Sequence, residues 1–147
     1  MTVAAPIVAE VARKLGGRAV LGSEVRSQAD LARMVRDRLP LAALKSLPEA
    51  GLSPQEIERF VIPQRTLRHR VQKSQPLTVD ESDRAVRLVR IQSLAEETFG
   101  ERDKANLWLR RHLTELDGET PMEVAQTEAG ARVVETVLAR IAWGAAA

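Results

Sequence analysis

The side chains with the clearest chemical potential lie in the run QRTLRHRVQK, from Gln64 to Lys73. Arg65, Arg68, His69, Arg70 and Lys73 make it the densest basic cluster in the chain. Arg and Gln side chains in the first turn of a helix have the donors to read guanine and adenine edges, and cations further along can hold phosphates. On this reading Gln64, Arg65 and Thr66 approach bases, while Arg68, His69, Arg70 and Lys73 contact the DNA backbone. A solvated basic helix face would carry the same residue types. The segment before the cluster favours DNA.

Bond-making chemistry has little to draw on. His69 and His112 are the two histidines, and neither has a partner at metal-ligand spacing. His112 falls on an apolar stripe with Trp108 and is expected to be satisfied and partly buried. Glu81 with Asp83, and Glu96 with Glu97, form carboxylate pairs, but glycosidase-type acid–base work needs two carboxyls flanking a cleft. These pairs fall at a helix start or along a helix surface, where capping and the helix dipole account for them. With no Cys there is no thiol nucleophile, no disulfide and little scope for structural zinc. No nucleophile elbow and no Gly-rich phosphate loop is present. The sequence therefore points to a non-enzyme without cofactor, metal or small-molecule substrate.

The basic run must be positioned by the elements around it. Ser53-Pro54-Gln55-Glu56 is a capping box with Pro at the first helical position, which predicts a short helix from Pro54 to Phe60. Val61-Ile62-Pro63 fits a tight turn. A second helix, Gln64 to Lys73, would then turn Leu67 and Val71 inward and its cations outward. Short helix, tight turn and basic helix make the outline of a helix-turn-helix. Upstream, Ser27 precedes a helical segment over 28–38, with Leu31, Val35 and Leu39 on one side and Pro40 ending it. Leu41, Leu44 and Leu47 suggest a short helix closed by Gly51. Residues 1–15 read as a helical segment closed by Gly16-Gly17, either a docking helix or a frayed tail, and 17–24 as a turn.

Downstream, Thr78 to Glu81 is another capping box, opening a long helix to about Phe99. Ala85, Val86, Leu88, Val89, Ala95 and Phe99 form its apolar face. Ile91 and Leu94 lie among Arg84, Arg87 and Arg90 on the other side, so the helix is expected to be covered twice, with Ile91 and Leu94 as candidates for a homodimer contact. Ala105, Trp108, Leu109, His112, Leu113 and Leu116 recur with helical period until Asp117-Gly118. Thr120, with Pro121 and Glu123, caps a new start, and Thr127 another. Val134, Val137, Leu138 and Ile141 mark the inner face of the last helix, which Gly144 would end. Trp108 belongs to a stripe that must be buried, so it reads as core. Trp143 lies beyond the periodic positions, so it reads as protruding into a partner. Gly130, in the first turn of the last helix, implies close approach of a backbone, either its own or a partner's.

Net charge is +2, but residues 1–76 hold 13 Lys/Arg against 7 Asp/Glu, and residues 77–147 hold 9 against 13. A basic half suits a polyanion and an acidic half a different partner. At 147 residues the chain makes one domain or two very small ones. Aromatic residues are few, so the core must come from Leu, Val, Ile and Ala, as in packed helices. No apolar run reaches membrane-spanning length and no signal segment opens the chain, so a cytoplasmic protein is expected.

Several fixed spacings now coincide. Ala105, Trp108-Leu109, Leu116, Gly118, Thr120-Pro121, Thr127, Gly130, Val134, Leu138, Arg140-Ile141 and Gly144 resemble the toxin-binding domain of the Xre/MbcA/ParS antitoxins. Arg65-Thr66-Leu67 followed by Arg70, and Glu81-Ser82-x-Arg84 followed by Arg87-Leu88, resemble the same family's helix-turn-helix region, although Pro63 stands where a small polar cap is the family's habit. The resemblance implies an antitoxin that binds and neutralises a RES-type toxin acting on NAD, and that represses its own operon by binding operator DNA. A homodimer is expected because helix-turn-helix proteins usually pair to meet successive major grooves. It implies that the C-terminal end lies nearest the toxin's active site, with Gly130, Val134, Arg140, Trp143 and Gly144 as the toxin-binding candidates. The expected architecture is all-α: an N-terminal helical extension over 1–26, a helix-turn-helix region over 27–76, a connecting long helix over 77–94 and a toxin-binding domain over 95–147. Two alternatives stay open, a stand-alone helix-turn-helix regulator with a C-terminal dimerisation domain and a small enzyme.

Overall fold

A computed structural model describes the backbone of residues 5–146 and the side chains of residues 7–144. The first four residues of the N-terminal segment and, in the C-terminal tail, Ala147 and the side chains of Ala145 and Ala146 lie outside the described residues. Among the described residues every regular element is helical, so the fold is all-α. The helices are α1 (Ala5–Lys14), α2 (Gly17–Leu21), α3 (Gln28–Arg36), α4 (Pro54–Phe60), α5 (Gln64–Lys73), α6 (Val79–Phe99), α7 (Arg102–Leu109), α8 (Pro121–Val124) and α9 (Glu128–Ala146). Two 3-10 turns, Leu41–Leu44 and Thr114–Leu116, join them. None of these helices is long and apolar enough to cross a membrane.

The helix starts follow from side-chain caps. Ser53 Oγ accepts the Glu56 N–H at 3.1 Å while the Glu56 carboxylate accepts the Ser53 N–H at 3.0 Å. The same reciprocal pair forms at Thr78/Glu81 and at Thr120/Glu123. Each pair satisfies two of the N–H groups that a helix start leaves without intrahelical partners. Ser27 and Asp30 make a fourth such box at the start of α3.

The chain divides into two compact units, Met1–Val86 and Arg87–Ala147. In the first, Leu15, Leu39, Leu47, Leu52, Ile62 and Leu77 are fully buried, and α1 packs on α2. Residues 17–21 form α2 rather than the expected turn, since packing on α1 supplies order that five residues could not gain alone. In the second unit Leu109, Met122, Ala131 and Val134 are buried, and α8 packs against both α7 and α9. The stripe that begins at Ala105 does not run on to Leu116 as one helix: α7 stops at Leu109 and the stripe resumes in the 3-10 turn Thr114–Leu116. Asp117, in the left-handed region at φ 56°, ends that turn. His112 accordingly leaves the apolar stripe and is exposed, its Nδ1 2.8 Å from the Gly118 carbonyl oxygen. The last helix passes through Gly144 to Ala146.

Candidate nucleic-acid interface and partner-facing surface

The turn between α4 and α5 is held from inside, with Val61 and Ile62 both buried. α5 starts at Gln64 with Pro63 before it; no side chain caps this start, and the Pro63 carbonyl accepts the Leu67 N–H at 3.0 Å. At 3.6 residues per turn Arg65, Arg68, His69 and Gln72 fall on one face. All four are exposed, as are Gln64 and Lys73, while Thr66 is half-buried. Arg65, Arg68, His69 and Lys73 form no ion pair among the described residues, so their charges are presented to solvent along one side of the helix.

Arg70 does not join them. Five residues after Arg65, it points about 140° away around the axis. Its guanidinium is largely buried and makes a two-pronged ion pair with Glu81, at 2.5 and 3.2 Å, and donates to the Pro76 carbonyl at 3.3 Å. The basic run predicts a phosphate contact for Arg70, but its donors are taken by internal partners. Burial pushes the Glu81 carboxyl up, but hydrogen bonds from Arg70 and from the Thr78 N–H outweigh it and hold the pKa below the ordinary glutamate value. The apolar side of α5 is also not turned into a closed core. Val71 is 59% exposed and Leu67 half-buried. With Leu41, Leu44, Ile57 and Ile62 they line an open groove of about 390 Å³ instead of a closed core.

Two further residues that the family resemblance touched turn out to hold this region in place. Arg84 of α6 donates through Nε and Nη2 to the Val61 carbonyl at 3.0 and 2.9 Å. The Ser82 hydroxyl accepts the buried Leu39 N–H at 2.9 Å. Glu81 thus caps α6 and also holds Arg70, and only the angular position of Arg70 on α5 makes that second role legible in the sequence.

In the second unit, α9 sorts the toxin-side candidates. Val134 is fully buried and belongs to the core, a correction that follows from its place beside Ala131, Val137 and Leu138 on the inner face. At Gly130 the close neighbour is the chain's own backbone: a Cβ there would overlap the Val124 carbonyl oxygen. Gly130 is therefore a packing position, and its N–H donates to Thr127 Oγ1 at 2.9 Å. Arg140, Trp143 and Gly144 are exposed, Trp143 at 79%. Val133 is also an exposed apolar residue, and Val133, Thr136, Arg140 and Trp143 lie on one face at helical spacing. Trp108, by contrast, is buried, its ring centroid 5.6 Å from that of Phe99. Ile91, expected at a dimer contact, is fully buried within the chain and is not available for one; Leu94 is half-buried.

A helix-turn-helix with an outward basic face, and a separate helical unit with an outward apolar-and-basic stripe, define a two-part regulatory protein. Residues 30–90 match the antitoxin Xre-like helix-turn-helix domain, and residues 94–144 match the antitoxin Xre/MbcA/ParS C-terminal toxin-binding domain. The chain is 40% identical over 122 residues to the antitoxin Xre of Pseudomonas putida, covering 82% of this chain and 76% of that one. It is also 40% identical over 68 residues to the antitoxin Xre of Photorhabdus laumondii subsp. laumondii, 46% of each chain. The chain belongs to the Xre/MbcA/ParS antitoxin family.

Proposed function

We propose that this antitoxin neutralises a RES-type, NAD-consuming toxin by covering its active site with the C-terminal end of α9, and represses its own operon through α5. The observation that carries the first half is Trp143, an indole left 79% exposed at the end of a helix whose other face is core. An exposed large apolar residue on a well-packed helix is a natural anchor for a partner. Arg140 beside it supplies a cation, and Gly144 adds no bulk, with nothing near its Cβ position. The reading assigns toxin contact to Arg140, Trp143 and Gly144. The second half rests on the outward face of α5, with Gln64, Arg65 and Thr66 at bases and Arg68, His69 and Lys73 at phosphates. Both activities belong to the cytoplasm and require no cofactor.

The decisive experiment is co-expression with the product of the neighbouring gene, which on this reading is a RES-type protein. The unmodified chain should restore growth and preserve cellular NAD, and a chain lacking residues 143–147 should not, although it stays folded. Full protection by the shortened chain would place the block on another surface. No growth defect from the neighbouring product alone would remove the toxin from the reading and leave a stand-alone regulator.

A further inference from the structure

α5 is held in an unusual way. No residue of this ten-residue helix is fully buried, and no side chain caps its start. Helices in proteins draw most of their stability from a packed apolar face, and here that face, Leu67 and Val71, borders an open groove. What does hold α5 is polar. Arg84 places two donors on the Val61 carbonyl, just before the helix begins. Glu81, one turn earlier on α6, takes both prongs of Arg70 in the second half of α5. The same carboxylate accepts the Thr78 N–H at 2.8 Å, so its own position is set by the cap of α6. A fork-on-fork pair constrains rotation as well as distance, because two parallel N–H···O bonds are lost if either plane turns. Rotation of α5 about its axis is what aims Arg65, Arg68 and His69.

We propose that Arg70, Glu81 and Arg84 are positioning residues for DNA recognition: a polar clamp from the first turns of α6 grips both ends of α5 and sets the rotation at which its basic face meets the groove. The proposal rests on the DNA-binding reading given above. Arg70 touches no nucleic acid in it. Its loss should therefore lower affinity for the specific site without removing a phosphate contact. Arg68, at a phosphate on the outward face, should behave in the opposite way with salt.

The test uses the full chain and a duplex from upstream of its own reading frame, with a scrambled duplex for comparison, titrated by fluorescence anisotropy at several salt concentrations. Arg70→Ala and Glu81→Gln should each lower affinity for the specific duplex at least tenfold, with the slope of log affinity against log salt unchanged and affinity for the scrambled duplex little altered. The double variant should be no weaker than the weaker single one, because both remove one interaction. Arg70→Lys, which keeps the charge but not the fork, should recover part of the loss. Arg68→Ala, which removes a phosphate contact, should flatten the slope by about one. Hydrogen exchange on the free protein supplies a readout without DNA: amides of 64–73 should exchange at least tenfold faster in Arg70→Ala, while those of 121–144 keep their rates. Unchanged specific affinity, a slope reduced by about one in Arg70→Ala, or unchanged exchange in α5 would each overturn the clamp. If the unmodified protein does not prefer its own duplex to the scrambled one, the DNA-binding reading itself falls, and the positioning role with it.

Discussion

Individual residues on α5 divide by angle more than by charge. Arg65 and Arg68 face solvent, and Arg70 faces Glu81, although all three are arginines within six positions. Arg65→Ala and Arg68→Ala should therefore weaken operator binding, by about 1–3 kcal/mol for a base-reading contact, while leaving toxin neutralisation unchanged. Gel-shift titration at two salt concentrations checks this, and equal affinity for both variants and the parent would relocate the recognition surface. Gly130 makes a second residue-scale case. Because a Cβ there meets backbone and not the end of a flexible side chain, Gly130→Ala must displace α8 from α9 locally. It should destabilise the second unit by about 1–3 kcal/mol, as overpacked core sites do. Urea denaturation measures the loss; a neutral substitution would mean that the α8–α9 junction relaxes freely.

At the scale of the element, the two tryptophans should part company. Trp108 is core on α7, and Trp108→Ala should cost about 3–5 kcal/mol through the transfer and cavity terms. Trp143 is surface on α9, so Trp143→Ala should leave the melting temperature within a degree or two yet weaken toxin capture by about 2 kcal/mol or more. Calorimetry beside a pull-down with the toxin separates the effects, and a large melting shift in Trp143→Ala would return that ring to a structural role. The α6 start adds a pH dependence. Glu81 has a folded pKa below the ordinary value of 4.5, so its ion pair stabilises fully above that value. The contribution is lost as pH falls from 4.5 through the depressed folded value. The stability gap between the parent and Glu81→Gln should consequently be constant from pH 7 to about 5 and narrow below 4.5. A gap that widens on acidification would contradict the sign.

For the whole molecule, the uneven charge of the chain suits two partners of different kind. A helix-turn-helix reads operators most often as a dimer, with two recognition helices about 34 Å apart. A homodimer is the expected state, free or on DNA, and light scattering at micromolar concentration checks it; a monomer under both conditions would rule it out. Its contact must be sought away from Ile91, which the chain buries for itself, among half-buried and exposed positions such as Leu94.

Much of this was determined by the sequence alone. The Ser53, Thr78 and Thr120 boxes announced their helices, because capping is a reciprocal bond between residues three apart and needs no tertiary partner. The α4–turn–α5 outline followed from that cap and from the Gln64–Lys73 pattern. The family was legible in fixed spacings across the C-terminal third. Periodicity also separated Trp108, inside a stripe, from Trp143, beyond it. Only the tertiary structure could decide what each face meets. Helical period turns Val71 inward and sets Ile91 off the main apolar face of its helix, yet Val71 borders an open groove and Ile91 is fully enclosed, since burial depends on which elements arrive opposite. It likewise required the fold to bring Glu81 to Arg70 and Arg84 to Val61, pairs 11 and 23 residues apart whose bonds exist only once α4, α5 and α6 have packed. The end of α7 at Leu109 was hidden for a related reason: the apolar spacing continues unbroken into the 3-10 turn, and the chain leaves the helix there although its stripe does not.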